Sequence, residues 1–250
     1  MSSTMEWDEK SKENIFCFIF EMAFKDATLR NAFVNPYKSK NKYEGKTDNE
    51  SEQHAENAFD ELKDNIRSFT KKPVAEYLDS MLDNEHTVED KCKYKCMLDV
   101  LNEVKEINTQ IKKVDPKHKG FTFGNAQKLV NMSAKYLYIA CYANPEMRMR
   151  FDECDCPMDS IMIKGVINEA KEVGKDNKFK KLRNNTSWSS LSINDGNYEN
   201  IEVFINSIPE EYYEFQQWIR KNKYEYENVL DFDFRKWPEW SKKFDKVQKT

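Results

Sequence analysis

The sequence predicts an all-α fold, and three observations carry that prediction. Six glycines and seven prolines in 250 residues leave few of the turns that a sandwich or barrel needs. Lys, Glu, Asn, Met and aromatic residues fill long stretches in which apolar positions recur near a 3.6-residue period. At 39% apolar and 34% charged, the composition is that of an ordinary soluble protein and excludes disordered, collagen-like and membrane-spanning classes. Residues 1–250 read as a single helical unit, with room for two helical subdomains and a cleft between them.

The first helix is expected over residues 14–33, where Ile15, Phe18, Ile19, Met22, Ala23 and Leu29 share a face. Residues 36–52 are polar and aperiodic, a loop. A second helix should start near Ser51, whose following Glu and Gln make an N-cap signature, and run through Ala58, Phe59, Leu62 and Ile66. Pro73 opens a third, with Val74, Tyr77, Leu78 and Met81 on one face. Residues 87–112 form a longer fourth through Cys96, Leu98, Val100, Leu101, Val104 and Ile107. Pro116, Gly120 and Gly124 break residues 114–124, and an unusually apolar helix follows over 126–142. Two helices joined by a glycine-bearing hairpin are expected there. A loop over 143–156 ends at Cys156-Pro157, residues 158–173 are again helical, residues 174–195 are polar, and further helices fall near 197–207, 209–222 and 237–247. No internal repeat is evident.

Several function classes drop out. The apolar run 15–20 is cut by Glu21, too short to span a membrane, and no signal peptide precedes it. Six cysteines without a secretory signal read as reduced thiols, so a cytoplasmic location is expected. A net charge of −4 argues against coating nucleic acid through overall positive charge, so any basic surface must be local. Cys154-x-Cys156 with Cys141, or Cys92 with Cys96, falls short of a zinc knuckle, and His54, His86 and His118 lie away from the Cys154 loop. An iron–sulfur cluster needs four cysteines in a tight run. No metal is expected, and the chain carries no nucleophile elbow, phosphate loop or dinucleotide fingerprint.

The informative segment is residues 124–162. Lys128, Asn131 and Lys135 stand at i, i+3 and i+7, on one face of a helix whose other positions are mostly apolar. Buried lysines are costly unless an acid meets them, and Asp159, at the head of the next helix, is placed to do so. In the alternative reading Asp159 is a plain N-cap and the lysines reach solvent.

Gln127-Lys128, Lys135, Phe151-Asp152 and Pro157-Met158-Asp159 follow one another in that order, with 31 residues from Lys128 to Asp159. In this the segment resembles the helix-hairpin-helix DNA glycosylases, most closely the archaeal 8-oxoguanine DNA glycosylase branch. The resemblance implies a bifunctional glycosylase and AP lyase acting on damaged DNA, without a cofactor and as a monomer. Lys128 would be the nucleophile that forms a Schiff base at the sugar C1′, and Asp159 the carboxylate that orients the amine and stabilises developing positive charge. A flipped base would meet a pocket to which Gln127, Asn131, Lys135, Phe123 and Trp188 contribute. The hairpin glycines Gly120 and Gly124, with Lys117 and Lys119, would hold DNA phosphate. Local charge agrees: residues 112–135 carry +5 and residues 171–183 carry +4.

The chain departs from the family pattern in two places. Its hairpin glycines are four apart where the usual form has them two apart, and Ser160 follows Asp159 where relatives often carry an aromatic and then a basic residue. Two rival readings follow. One is a catalytically silent protein of the same fold that binds a nucleobase, nucleoside or nucleotide signal in a bacterial or phage defence setting. The other is a helical interaction module without a pocket.

Overall fold

Asp8 begins the first helix by accepting the Ser11 amide on its side chain, and α1 runs over Glu9–Ala27. Ile19, Phe20, Ala23, Phe24 and Ala27 make its buried stripe, and Thr28 ends it with its hydroxyl on the Phe24 carbonyl. The computed structural model describes residues 7–29, 31–38, 49–83, 91–175, 179, 187–193 and 200–247, and everything below concerns these. They are helical and contain no strand.

The second and third helices expected from the sequence are one, α2 over Asn49–Leu82, with Pro73 inside it. Proline removes one hydrogen bond from a helix but not its apolar phase. Here Leu62, Ile66, Thr70, Pro73, Tyr77 and Met81 continue one buried stripe straight through the proline. The long fourth helix is instead two, α3 over Lys91–Glu103 and α4 over Lys105–Val114. Val104 is a kink rather than a gap, since its amide still donates to Val100 and its carbonyl still accepts from Asn108.

After α4, the loop 115–122 leads into α5 over Phe123–Ala140, which begins three residues before the expected start. Thr122 and Asn125 form a capping box there, and Gly124 therefore lies within the helix rather than in the turn. The five-residue α6, Pro145–Met149, falls in the expected 143–156 loop, and α7 spans Ser160–Glu172. A 3-10 turn at Trp188–Ser190 precedes α8 (Ile201–Ser207), α9 (Glu210–Asn222) and α10 (Val229–Val247). The last begins eight residues before the expected 237. Asn228 caps it, accepting the amides of Leu230 and Asp231.

Helix α5 is the axis of the fold. Helices α1, α2, α3 and α10 and the 3-10 turn pack on it, and all but a few of its side chains are buried. Helix α7 packs on α9 and α10. Gly165 lets α7 and α10 approach, because a Cβ there would sit 1.9 Å from the Trp240 ring.

Candidate active site

Lys128 projects from the second turn of α5 and Asp159 caps α7. The Lys128 Nζ donates to Asp159 Oδ2 at 2.9 Å. The other oxygen, Oδ1, accepts the amides of Ile161 and Met162, each at 2.9 Å. The two readings of Asp159 thus hold together: one oxygen caps, the other pairs. The lysine side chain is 6% exposed and the aspartate 16%, so the pair is reachable from the carboxylate side.

A second pair stands about two turns further along α5. Lys135 meets Asp233 of α10 at 2.5 Å, and both are buried. Trp237, four residues after Asp233, donates its indole N–H to Asp159 Oδ2 at 3.0 Å, while the Lys135 ammonium lies 5.9 Å from the Trp237 ring centre. Two lysines, two aspartates and an indole therefore form one polar cluster between α5, α7 and α10. Neither lysine runs out to solvent.

The sequence reading missed Asp233 and Trp237. Phe232 and Phe234 alternate with Asp231, Asp233 and Arg235, and that two-residue rhythm masks a helix. The i, i+4 spacing of Asp and Trp was the available signal.

Electrostatics separate the two acids. Burial by itself raises the Asp159 carboxyl, but the Lys128 ammonium, the Met162 amide and the Trp237 indole outweigh it and hold the group below its ordinary value. Asp233 is raised, chiefly by burial, with Lys135 opposing. Lys135 is also raised, as Asp233 outweighs its desolvation. The short Lys135–Asp233 contact is the interaction that opposes burial in both groups. Asp233 Oδ1 and Asn131 Oδ1 are buried without a hydrogen-bond partner among the described residues, an unusual cost unless something fills it.

The other expected site residues divide. Trp188 is beside the pair, with the Lys128 ammonium 5.9 Å from its ring centre. Asn131 lies between Lys128 and Lys135 and donates to Gln127 and to the Tyr212 hydroxyl. Gln127 is fully buried, and its amide is engaged by the backbone of Gly124 and Met158 rather than facing open space. Phe123 packs edge-on against Tyr212 and beside Phe204 in the core.

At the hairpin, the Gly120 amide donates to His118 Nδ1 and the Gly124 amide to the Leu191 carbonyl. Both amides expected to hold phosphate are thus bonded internally. Gly120 does have the conformation that requires glycine, with φ +73°. Lys117 is exposed beside it, and Lys119 reaches the Ser190 carbonyl. Most of the 171–183 basic patch lies outside the described residues.

Among the described residues no group of three or more His, Cys, Asp and Glu is placed to hold a metal ion. Burial raises the thiols of Cys96, Cys141, Cys154 and Cys156, Cys141 to about 11 and Cys154 to about 12, which keeps them protonated. No described helix is long and apolar enough to cross a membrane. Two surface concavities, between α1 and α2 and between α2 and α3, contain neither Lys128 nor Asp159. The structure thus defines an all-α protein with a buried two-lysine, two-aspartate cluster. No family model, curated protein or solved structure matches the chain.

Proposed function

We propose that the protein is a DNA glycosylase of the helix-hairpin-helix type with AP lyase activity, removing an oxidised purine, 8-oxoguanine, through a Schiff base on Lys128. The observation that carries this reading is the 2.9 Å contact between Lys128 Nζ and Asp159 Oδ2. It joins two residues that the resemblance singled out, 31 positions apart in sequence. In the reaction, a Lys128 proton passes to the departing base, which leaves with the electron pair of the glycosidic bond, and Nζ bonds to C1′. Opening of the sugar ring then gives the iminium, and loss of a C2′ proton expels the 3′ phosphate. Asp159 stays ionised throughout, as its lowered pKa suits, and stabilises the positive charge on sugar and amine. Trp188 and Trp237 supply flat apolar faces beside the pair, and the unpaired Asp233 and Asn131 oxygens supply acceptors of the kind a base N–H would satisfy.

One observation favours the second reading, a silent binder of a nucleobase, nucleoside or nucleotide. Both hairpin amides are bonded internally, which leaves the phosphate contact of the DNA enzymes without those donors. Borohydride trapping separates the two. A duplex with one 8-oxoguanine is expected to give a covalent adduct with the protein but not with Lys128→Gln, and an undamaged duplex to give none. Absence of an adduct on both 8-oxoguanine and an abasic site, from folded protein, would move the assignment to the binder.

A further inference from the structure

Residues 154–158, which deliver Asp159, are buried throughout yet outside any helix, so their backbone groups need partners from elsewhere. Two glutamine amides supply them. Gln127 donates from Nε2 to the Met158 carbonyl at 3.0 Å and accepts the Met158 amide on Oε1 at 3.2 Å. Gln216, from α9, does the same for Cys156, accepting its amide at 2.9 Å and donating to its carbonyl at 2.8 Å. The first clamp joins the residue before Lys128 to the residue before Asp159.

The surrounding network fixes the clamps. Asn131 donates to Gln127 Oε1 and to the Tyr212 hydroxyl, and Tyr212 donates to Asp155 Oδ2 at 2.9 Å. Arg220 holds the other Asp155 oxygen at 2.8 Å. We propose that Gln127 and Gln216 are positioning residues, which set the register of the 154–158 segment along α5 and so hold Asp159 against Lys128. This rests on the glycosylase reading for its kinetic consequence, but not for its geometric one. The amide offers a donor and an acceptor side by side to one residue's backbone at any pH, which a carboxyl group does only when protonated. An ionised carboxylate at 127 would set an oxygen against the Met158 carbonyl, and a thioether would offer neither group.

The test uses the full chain as Gln127→Met, Gln127→Glu and Gln216→Met. Val74→Ala, an apolar truncation in the buried stripe of α2 that removes no hydrogen bond, controls for lost stability. Single-turnover Schiff-base formation on 8-oxoguanine duplex should fall about tenfold to a hundredfold in Gln127→Met at every pH, with DNA affinity little changed. Gln127→Glu should be slow at alkaline pH and recover as pH falls, because the protonated acid again donates and accepts; wild type lacks such a recovery.

Acetylation of individual lysines, read by mass spectrometry on protein alone, should speed up at Lys128 but not at Lys135 in Gln127→Met and in Gln216→Met. Wild-type adduct rates and Lys128 labelling in folded variants would overturn the proposal. A wild type that forms no adduct removes the glycosylase reading, and the Lys128 labelling then decides the positioning role by itself. If the Gln127 variants do not fold, Gln216→Met carries both readouts.

Discussion

Asp159 divides its work between its two oxygens, and its pH behaviour follows from that. The folded carboxyl lies below its ordinary value of 3.8. It therefore stabilises the fold at pH above about 4, and that contribution is lost as pH falls through the folded value. Asp159→Asn retains an N-cap but loses the charge interaction with Lys128. Urea denaturation should find the variant less stable by about 1–3 kcal/mol at pH 6, with the gap closing toward pH 3. A gap independent of pH would mean that the ion pair contributes nothing. The pairing itself was legible in sequence because two lysines on an otherwise apolar face demand an acid. Its second half was not: Asp233 and Trp237 lie in a stretch whose alternation imitates a strand, and Gln127 looks in sequence like a ligand contact although its partner is backbone 31 residues away.

At the scale of elements, the site depends on how closely α7 and α10 approach, and Gly165 sets that distance. Alanine is the better helix former by about 1 kcal/mol, so Gly165→Ala would raise stability if the helix stood alone. The added methyl would instead meet the buried Trp240 ring at 1.9 Å. Overpacking of this kind costs about 1–3 kcal/mol. The expected result is a lower melting temperature by several degrees, with a weaker Trp237–Asp159 contact; a rise would show that α10 can withdraw freely. The existence of the longer helices was legible, because apolar period survives in single sequence, whereas the five-residue α6 (Pro145–Met149) is too short to show one. Joins were not. Pro73 suggested a boundary that the continuous stripe overrides, and nothing in residues 87–112 marks the kink at Val104.

The whole molecule is acidic at −4, so on the proposed glycosylase reading DNA would have to meet it through a local surface. Lys113, Lys117 and Lys119 are exposed around the loop between α4 and α5, the helix that carries Lys128. With both hairpin amides bonded internally, that reading leaves these side chains as the candidate phosphate contacts at the hairpin. Replacing Lys117 and Lys119 with alanine should weaken duplex binding and reduce the slope of log affinity against log salt by about two. Equal slopes for variant and wild type would move the DNA surface elsewhere. That global charge would exclude a DNA coat was legible from composition; which lysines share a face was not, since it depends on the docking of the 187–193 segment against α5.

The double duty of Asp159 also constrains inheritance. On the glycosylase reading, a lineage that gave up the chemistry would not find position 159 free to drift, because α7 would still want a short polar cap there. Nor could Lys128 be left behind, a buried cation with its counter-charge gone. Such a lineage would be expected to change the two positions together, most simply to a neutral pair with Asn, Ser or Thr still heading the helix, so that position 159 would lose its charge yet keep its capping character.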